Sequence, residues 1–208
     1  MPTEKKRFGI SPLFLVAASV LVYLEGPAVA AVIFLSAAVH ELGHFGAAAL
    51  FGGKPTGFFI LPIGMKIELD AAKMSYLGEA VTALAGPFVN VIMWAASAVV
   101  ARYTGLDIFV FSAAANFFLA VLNMIPALPL DGGRALRCVL RKHLEDVEKA
   151  DGISDVVTLV SLVAVFAFGI YVLVSSGYNI SLIAISLFLL VTLLREKLAA
   201  KEKIPLLS

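Results

Sequence analysis

The chain is nearly without cysteine, poor in charge and free of linker-like segments, and each scarcity narrows the reading. Cys138 is the only cysteine among 208 residues, which excludes an internal disulfide and a zinc cluster built from cysteines. Charged residues make up 15% and hydrophobic ones 61%, with a mean hydropathy of +0.97. That leaves too little polar surface to cover a soluble domain, and points to the lipid bilayer as solvent and partner. A net charge of +1 offers no electrostatic footprint for nucleic acid. No repeat, low-complexity tract or Pro/Ser-rich linker divides the sequence, so 1–208 reads as a single membrane-embedded domain.

What is present is apolar sequence, to be measured against the roughly 20 residues that a helix needs to cross about 30 Å of hydrocarbon. Six stretches are candidates: Ile10 to Leu24, Pro27 to Phe51, Tyr76 to Arg102, Leu106 to Ile125, Ile153 to Ser175 and Ile180 to Leu194. The expected fold is therefore an all-α polytopic membrane protein of about six transmembrane helices. Lys5, Lys6 and Arg7 before the first stretch resemble the start of a signal peptide, yet Leu24 and Glu25 form no small-residue cleavage site, and the stretch is kept as a helix.

Lys and Arg fall in alternate connections: Lys5 to Arg7, then Lys54, Lys66 and Lys73, then Arg134 to Lys149, then Arg195 to Lys203. The opposite connections hold only Arg102. With six spans, positive residues collect on one side, which puts both termini in the cytoplasm.

Two connections are more than loops. From Thr56 to Asp70, an apolar run, a turn signal at Pro62 to Gly64 and an alternation of Met65, Ile67 and Leu69 with Lys66, Glu68 and Asp70 read as a short membrane-associated β-hairpin or as a greasy interfacial loop. From Asn123 to Gly133, Pro126, Pro129, Gly132 and Gly133 break an apolar run, so one helix ends there and another begins. Arg134 to Lys149 mixes apolar and charged residues at helical spacing and is expected to be one surface helix.

The chemistry centres on His40-Glu41-Leu42-Gly43-His44. Residues four apart share a helix face, so two imidazoles can grip one ion while the adjacent glutamate addresses a water molecule. Catalytic zinc takes three protein ligands and keeps one position open, and Glu41 would be the general base. The motif uses two of three histidines and lies well inside the second span. Ionisable groups there cost roughly 3 kcal/mol each or more, and normally mark function. The bland alternative is a set of polar groups satisfied between helices.

For a third ligand, His143 sits about 18 Å along a helix from Asp131 and reads as solvated. Glu68, Asp70 and Glu79 stand where exposed acids are ordinary. Asp131, between Pro129 and the glycines of a broken helix, can be presented at membrane depth; it is the expected third ligand, its alternative role being an N-cap for a helix starting at Gly132. Ala85-Gly86-Pro87 reads as a packing face against the histidine helix. Asn123 is expected to be functional, whereas Asn90 could equally serve packing.

These residues resemble the site-2 protease family of intramembrane zinc metalloproteases, most closely its bacterial sporulation branch. The carriers are His40 through His44, Leu61-Pro62-Ile63-Gly64, Ala85-Gly86-Pro87 with Asn90, and Asn123 through Gly133. The resemblance implies a zinc site of His40, His44 and Asp131, a base at Glu41, and substrate positioning by Asn123 and Pro129. It implies regulated cleavage of a membrane-tethered protein, such as a sigma-factor precursor or an anti-sigma factor, with a membrane inhibitor as a candidate partner. Unlike much of that branch, the chain ends soon after the sixth expected span without a nucleotide-sensing domain, and it has no PDZ insertion. Two other classes compete, a metal transporter and a catalytically dead scaffold; neither has a use for Glu41 beside the histidines. Oligomeric state is not encoded legibly.

Overall fold

Long apolar runs bounded by Pro and Gly become helices because, in hydrocarbon, backbone groups must be satisfied within the segment. The computed structural model describes residues 7–61, 64–70, 74–177 and 181–202 and is mostly helical. Its helices are α1 (Pro12–Glu25), α2 (Pro27–Leu50), α3 (Tyr76–Thr104), α4 (Asp107–Met124), α5 (Asp131–His143), α6 (Val147–Ser176) and α7 (Ser181–Glu202). Strands β1 (Arg7–Ile10), β2 (Lys54–Leu61) and β3 (Gly64–Asp70) complete the elements. Helices α2, α3, α4 and α6 are long and apolar enough to cross a membrane, and shorter apolar stretches occupy Phe14–Glu25 and Leu182–Leu194.

The chain divides into two compact units, Met1–Met124 and Ile125–Ser208. In the first, α3 packs against both α2 and α4. The contact faces are lined by small and polar residues: Ala30, Ser36, His40, His44 and Ala48 on α2, and Ala80, Ala83, Gly86, Pro87, Asn90 and Ser97 on α3. The first set recurs mostly every four residues, which keeps it on one face. Such faces let backbones approach where no hydrophobic effect drives helices together. Large side chains such as Leu35, Leu42, Phe88 and Phe118 point outward, as a lipid-facing surface requires.

Helix starts follow local chemistry. Pro27 opens α2 directly after Gly26, whose φ of 83° is open to glycine and rarely to other residues. The Ser75 hydroxyl accepts from the Gly78 amide to cap α3. Pro87 lies inside α3, where it removes one intrahelical hydrogen bond.

The three strands form a sheet in the order β1-β2-β3, with β1 parallel and β3 antiparallel to β2. The pairing of Arg7–Ile10 with Gly57–Ile60 was not expected: Ile10 lies in a strand, and the first helix begins at Pro12. The turn expected at Pro62 and Ile63 lies outside the described residues, as do Lys5, Lys6, Lys73 and Lys203.

In the second unit a loop, α5, α6 and α7 follow. Ala127 and Leu128 are buried with Leu162, Leu189 and Leu193, and the Leu128 amide donates to the Thr158 hydroxyl on α6 at 3.2 Å. The surface helix expected from Arg134 to Lys149 is corrected by the structure. Helix α5 ends at His143, and α6 begins at Val147, capped by the Asp146 carboxylate accepting from the Lys149 amide. A cap within the span ends one helix and starts another whatever the apolar spacing. Arg141 grips Asp151 through two contacts of 2.7 Å, and Arg137 reaches Asp155 at 3.4 Å, tying α5 to the start of α6.

Candidate metal centre

His40 and His44 lie one turn apart on α2 and are buried, 5% and 6% exposed. Their Nε2 atoms approach to 3.1 Å, with the rings nearly perpendicular at 88°. Each Nδ1 is engaged elsewhere. His44 Nδ1 donates to the Thr82 carbonyl at 2.8 Å; a carbonyl only accepts, so the proton sits on Nδ1. His40 Nδ1 donates to Asn90 Oδ1 at 2.5 Å. In the neutral rings both Nε2 atoms therefore carry lone pairs turned towards one another, an arrangement that is repulsive unless a cation lies between them. Two nitrogens each about 2.0–2.1 Å from a tetrahedral zinc ion stand about 3.3 Å apart, close to the observed separation. The outer hydrogen bonds are of the kind that orient metal-binding imidazoles.

The rings have room because α3 carries no Cβ at Gly86, the position that faces them. A Cβ on Gly86 would lie 2.5 Å from both Cε1 and Nε2 of His44 and 2.9 Å from Cε1 of His40. On α2, Gly43 meets the Ala85 carbonyl nearly as closely, at 2.8 Å from where its Cβ would be. Glycines inside the His-Glu-Leu-Gly-His and Ala-Gly-Pro motifs thus let the two helices touch.

Glu41 is half-buried on α2, about 100° around the helix from His40. Asp131 is buried at the first position of α5, with Leu130 as N-cap, so it is not the capping residue that its sequence position also allowed. Arg134 stands 3.4 Å from its Oδ1. Gly133, two residues on, abuts the Ala127 carbonyl carbon and Leu128 amide, 2.4 and 2.5 Å from where a Cβ would be, so the loop can fold tightly over the helix start. Among the described residues, one group of three could hold a metal ion: His40, His44 and Asp131, whose ligand atoms all lie within 4.8 Å of one another. The donor set, two imidazoles and a carboxylate, suits zinc.

Of the other candidates, Asn123 is half-buried on α4 and donates to the Leu119 carbonyl of its own helix at 3.0 Å. Pro129 is half-buried in the loop before α5. His143 is exposed and bonds the Val139 carbonyl, as a solvated residue would. Sequence reasoning missed Asn116, Ser36 and Thr82. Asn116 had a signal, a polar side chain deep in an apolar span. The Thr82 contribution is a backbone carbonyl and had none.

A buried histidine pair on α2, one of the helices that can cross a bilayer, and a buried aspartate at the start of α5 define the class: an integral membrane protein with a site of metallopeptidase type. Residues 95–168 match peptidase family M50. The chain is 33% identical over 164 residues to a zinc metalloprotease of Methanocaldococcus jannaschii, covering 75% of this chain and 45% of that protein. It is 29% identical over 161 residues to stage IV sporulation protein FB of Bacillus subtilis, covering 76% of this chain and 54% of that protein. It therefore spans about half the length of these relatives. Among solved structures, the site-2 protease from Methanocaldococcus jannaschii superposes with a TM-score of 0.62 at 26% identity, over 86% of this chain and 85% of that one. The chain thus carries a peptidase family M50, or site-2 protease, domain.

Proposed function

We propose that the protein is an intramembrane zinc metalloprotease that hydrolyses a peptide bond in or beside a transmembrane segment of a membrane-tethered protein. One observation carries this: two buried imidazole lone pairs held 3.1 Å apart by hydrogen bonds on their far nitrogens, with a third donor in the same group. His40, His44 and Asp131 are the ligands. Zinc held there supplies Lewis acidity and lowers the pKa of a water molecule towards about 7.

Glu41 takes the proton of the attacking water and returns it to the leaving amine. Its place next to a metal ligand in sequence, half-buried at membrane depth, supports that role over a transporter or an inactive scaffold. Asn123 and Pro129, flanking the bend between α4 and α5, hold the substrate chain in extended form, since a helical substrate hides its carbonyls. Strands β2 and β3, antiparallel neighbours, follow α2 on the side reached after the histidines, which supports the reading of Thr56 to Asp70 as a hairpin.

The six-span arrangement, in which α1 and α7 join the four helices with longer apolar stretches, is supported by the shorter apolar stretches at Phe14–Glu25 and Leu182–Leu194. With six spans, both termini and the basic connections face the cytoplasm, in a bacterial cell membrane, and 1–208 acts as one protease domain. The likeness to a sporulation protein favours a sigma-factor precursor or anti-sigma factor as substrate, with an inhibitor in the membrane as regulator.

Zinc content and cleavage of a single-span test substrate, measured for the parent and Glu41→Gln, test the proposal. Zinc retained with cleavage reduced by about 10²-fold to 10⁴-fold is expected. Unchanged cleavage removes Glu41 from catalysis, and absence of both zinc and cleavage in the parent returns the protein to the scaffold class.

A further inference from the structure

Between α2, α3 and α4, beyond the metal ligands, lies a connected set of buried amides and hydroxyls. Asn116 on α4 donates from Nδ2 to the Ser112 carbonyl at 2.9 Å and to the Ser36 hydroxyl at 3.0 Å. Asn90 on α3 donates from Nδ2 to Asn116 Oδ1 at 2.7 Å and to the Ser36 carbonyl at 3.3 Å. Asn90 Oδ1 then faces His40 Nδ1. Both asparagines are almost completely buried, 0% and 1% exposed.

The order of donors along this chain is dictated from its far end. The Ser112 carbonyl can only accept, so Asn116 must present its NH₂ there and its oxygen to Asn90. Asn90 must then turn its NH₂ to Asn116 and its oxygen to His40. Reversing Asn90 would set its oxygen against two acceptors, the Asn116 oxygen and the Ser36 carbonyl. With an obligate acceptor opposite Nδ1, the His40 proton is held on Nδ1 and the Nε2 lone pair stays on the metal side.

We propose that Asn116 is a positioning residue for the metal centre: it touches no ligand, yet by latching the Asn90 amide it selects the His40 tautomer that binds metal. The Ser36 carbonyl holds the same amide more loosely, at 3.3 Å against 2.7 Å, so Asn116 strengthens a preference rather than creating it alone. The proposal rests on the metal-site reading and adds a residue on a third helix, α4.

The test is zinc affinity of the full chain in detergent, by chelator competition, with stability of the metal-free protein followed separately. Asn90→Leu is expected to weaken zinc binding by about 10-fold to 100-fold, as for other residues that orient ligands. Asn116→Leu should weaken it by about fivefold, the worth of one hydrogen bond. Ser97→Ala should leave it unchanged, because Ser97 meets only the Ser112 hydroxyl while Asn116 uses the carbonyl.

Asn90→Asp supplies the decisive background. A carboxylate accepts on either oxygen and has no orientation to latch, and it sets an oxygen against the Asn116 oxygen, so Asn116→Leu added to Asn90→Asp should bring no further loss and some recovery. A merely structural role for Asn116 predicts the same loss in both backgrounds, and that result overturns the proposal. So does an unchanged affinity for Asn116→Leu alone. A parent protein that binds no zinc overturns the metal-site reading itself and the positioning role with it, whereas a zinc-binding parent with an indifferent Asn116 removes only the latter.

Discussion

Gly86→Ala adds one methyl group and puts it where two imidazoles already stand. The added Cβ would lie 2.5 Å from Cε1 and Nε2 of His44, whereas carbon atoms settle at about 3.5–4.0 Å, so a displacement of about 1 Å is needed. Helix α3 cannot easily supply it by sliding along α2, because Gly43 and Ala85 are also in close approach. The ring must swing, which breaks the 2.8 Å bond from His44 Nδ1 to the Thr82 carbonyl, or the helices must part. Overpacking of this kind costs about 1–3 kcal/mol and the lost hydrogen bond about 1 kcal/mol.

If the strain is relieved at the ring, most of that total is charged to the metal-binding arrangement, and zinc affinity falls by about 10-fold to 100-fold, with 1.4 kcal/mol per factor of ten. Chelator competition on detergent-solubilised protein measures it, with Gly46→Ala as control: Gly46 is on α2 and a Cβ there meets nothing within 4 Å. Zinc affinity in Gly86→Ala within twofold of the parent would refute the idea that this glycine exists to seat the imidazoles.

Three further outcomes concern the second unit. Gly133→Ala drives a Cβ into the Ala127 and Leu128 backbone, which cannot retreat as a flexible side chain could; thermal unfolding should fall well below that of Gly152→Ala, where a Cβ meets nothing within 4 Å. Thr158→Val leaves the buried Leu128 amide without its acceptor and should cost about 1–3 kcal/mol in denaturant unfolding, with Thr158→Ser recovering much of it. For the two-contact pair of Arg141 and Asp151, whose side chains are 30% and 34% exposed, a double-mutant cycle should give a coupling of about 0.2–1 kcal/mol that shrinks with added salt.

Much of the molecule was legible in advance where the determining interaction is local. Helix starts at Pro27 and Tyr76, and one at Asp107 expected a residue earlier at Leu106, follow from runs of apolar residues and the Pro, Ser and Gly signals around them. The spacing of His40 and His44 could be converted to a shared face without knowing any neighbour. The break before Asp131 was visible in its prolines and glycines. Two errors arose where a local signal was underweighted or its partner was remote. Asp146 could have been read as the cap that separates α5 from α6, but an unbroken apolar spacing hid it. Nothing around Arg7–Ile10 announces a strand, because its pairing partner is some fifty residues away at Gly57–Ile60.

By itself, then, the sequence determined that this is a membrane protein, where its long helices run, and that one of them carries a paired-imidazole motif with a glutamate beside it. Those properties depend on hydrophobic length and helical periodicity, which the chain carries within each segment. Only the tertiary structure decided what holds the imidazoles: that the Thr82 carbonyl fixes one ring, that Asn90 fixes the other, and that Asn116 and Ser36 stand behind Asn90. A polar residue in an apolar helix can face any neighbour, and a backbone carbonyl has no residue type to betray it. Which of them meet depends on where helices cross, and that is settled by the fit of small residues such as Gly43 and Gly86 between packed backbones.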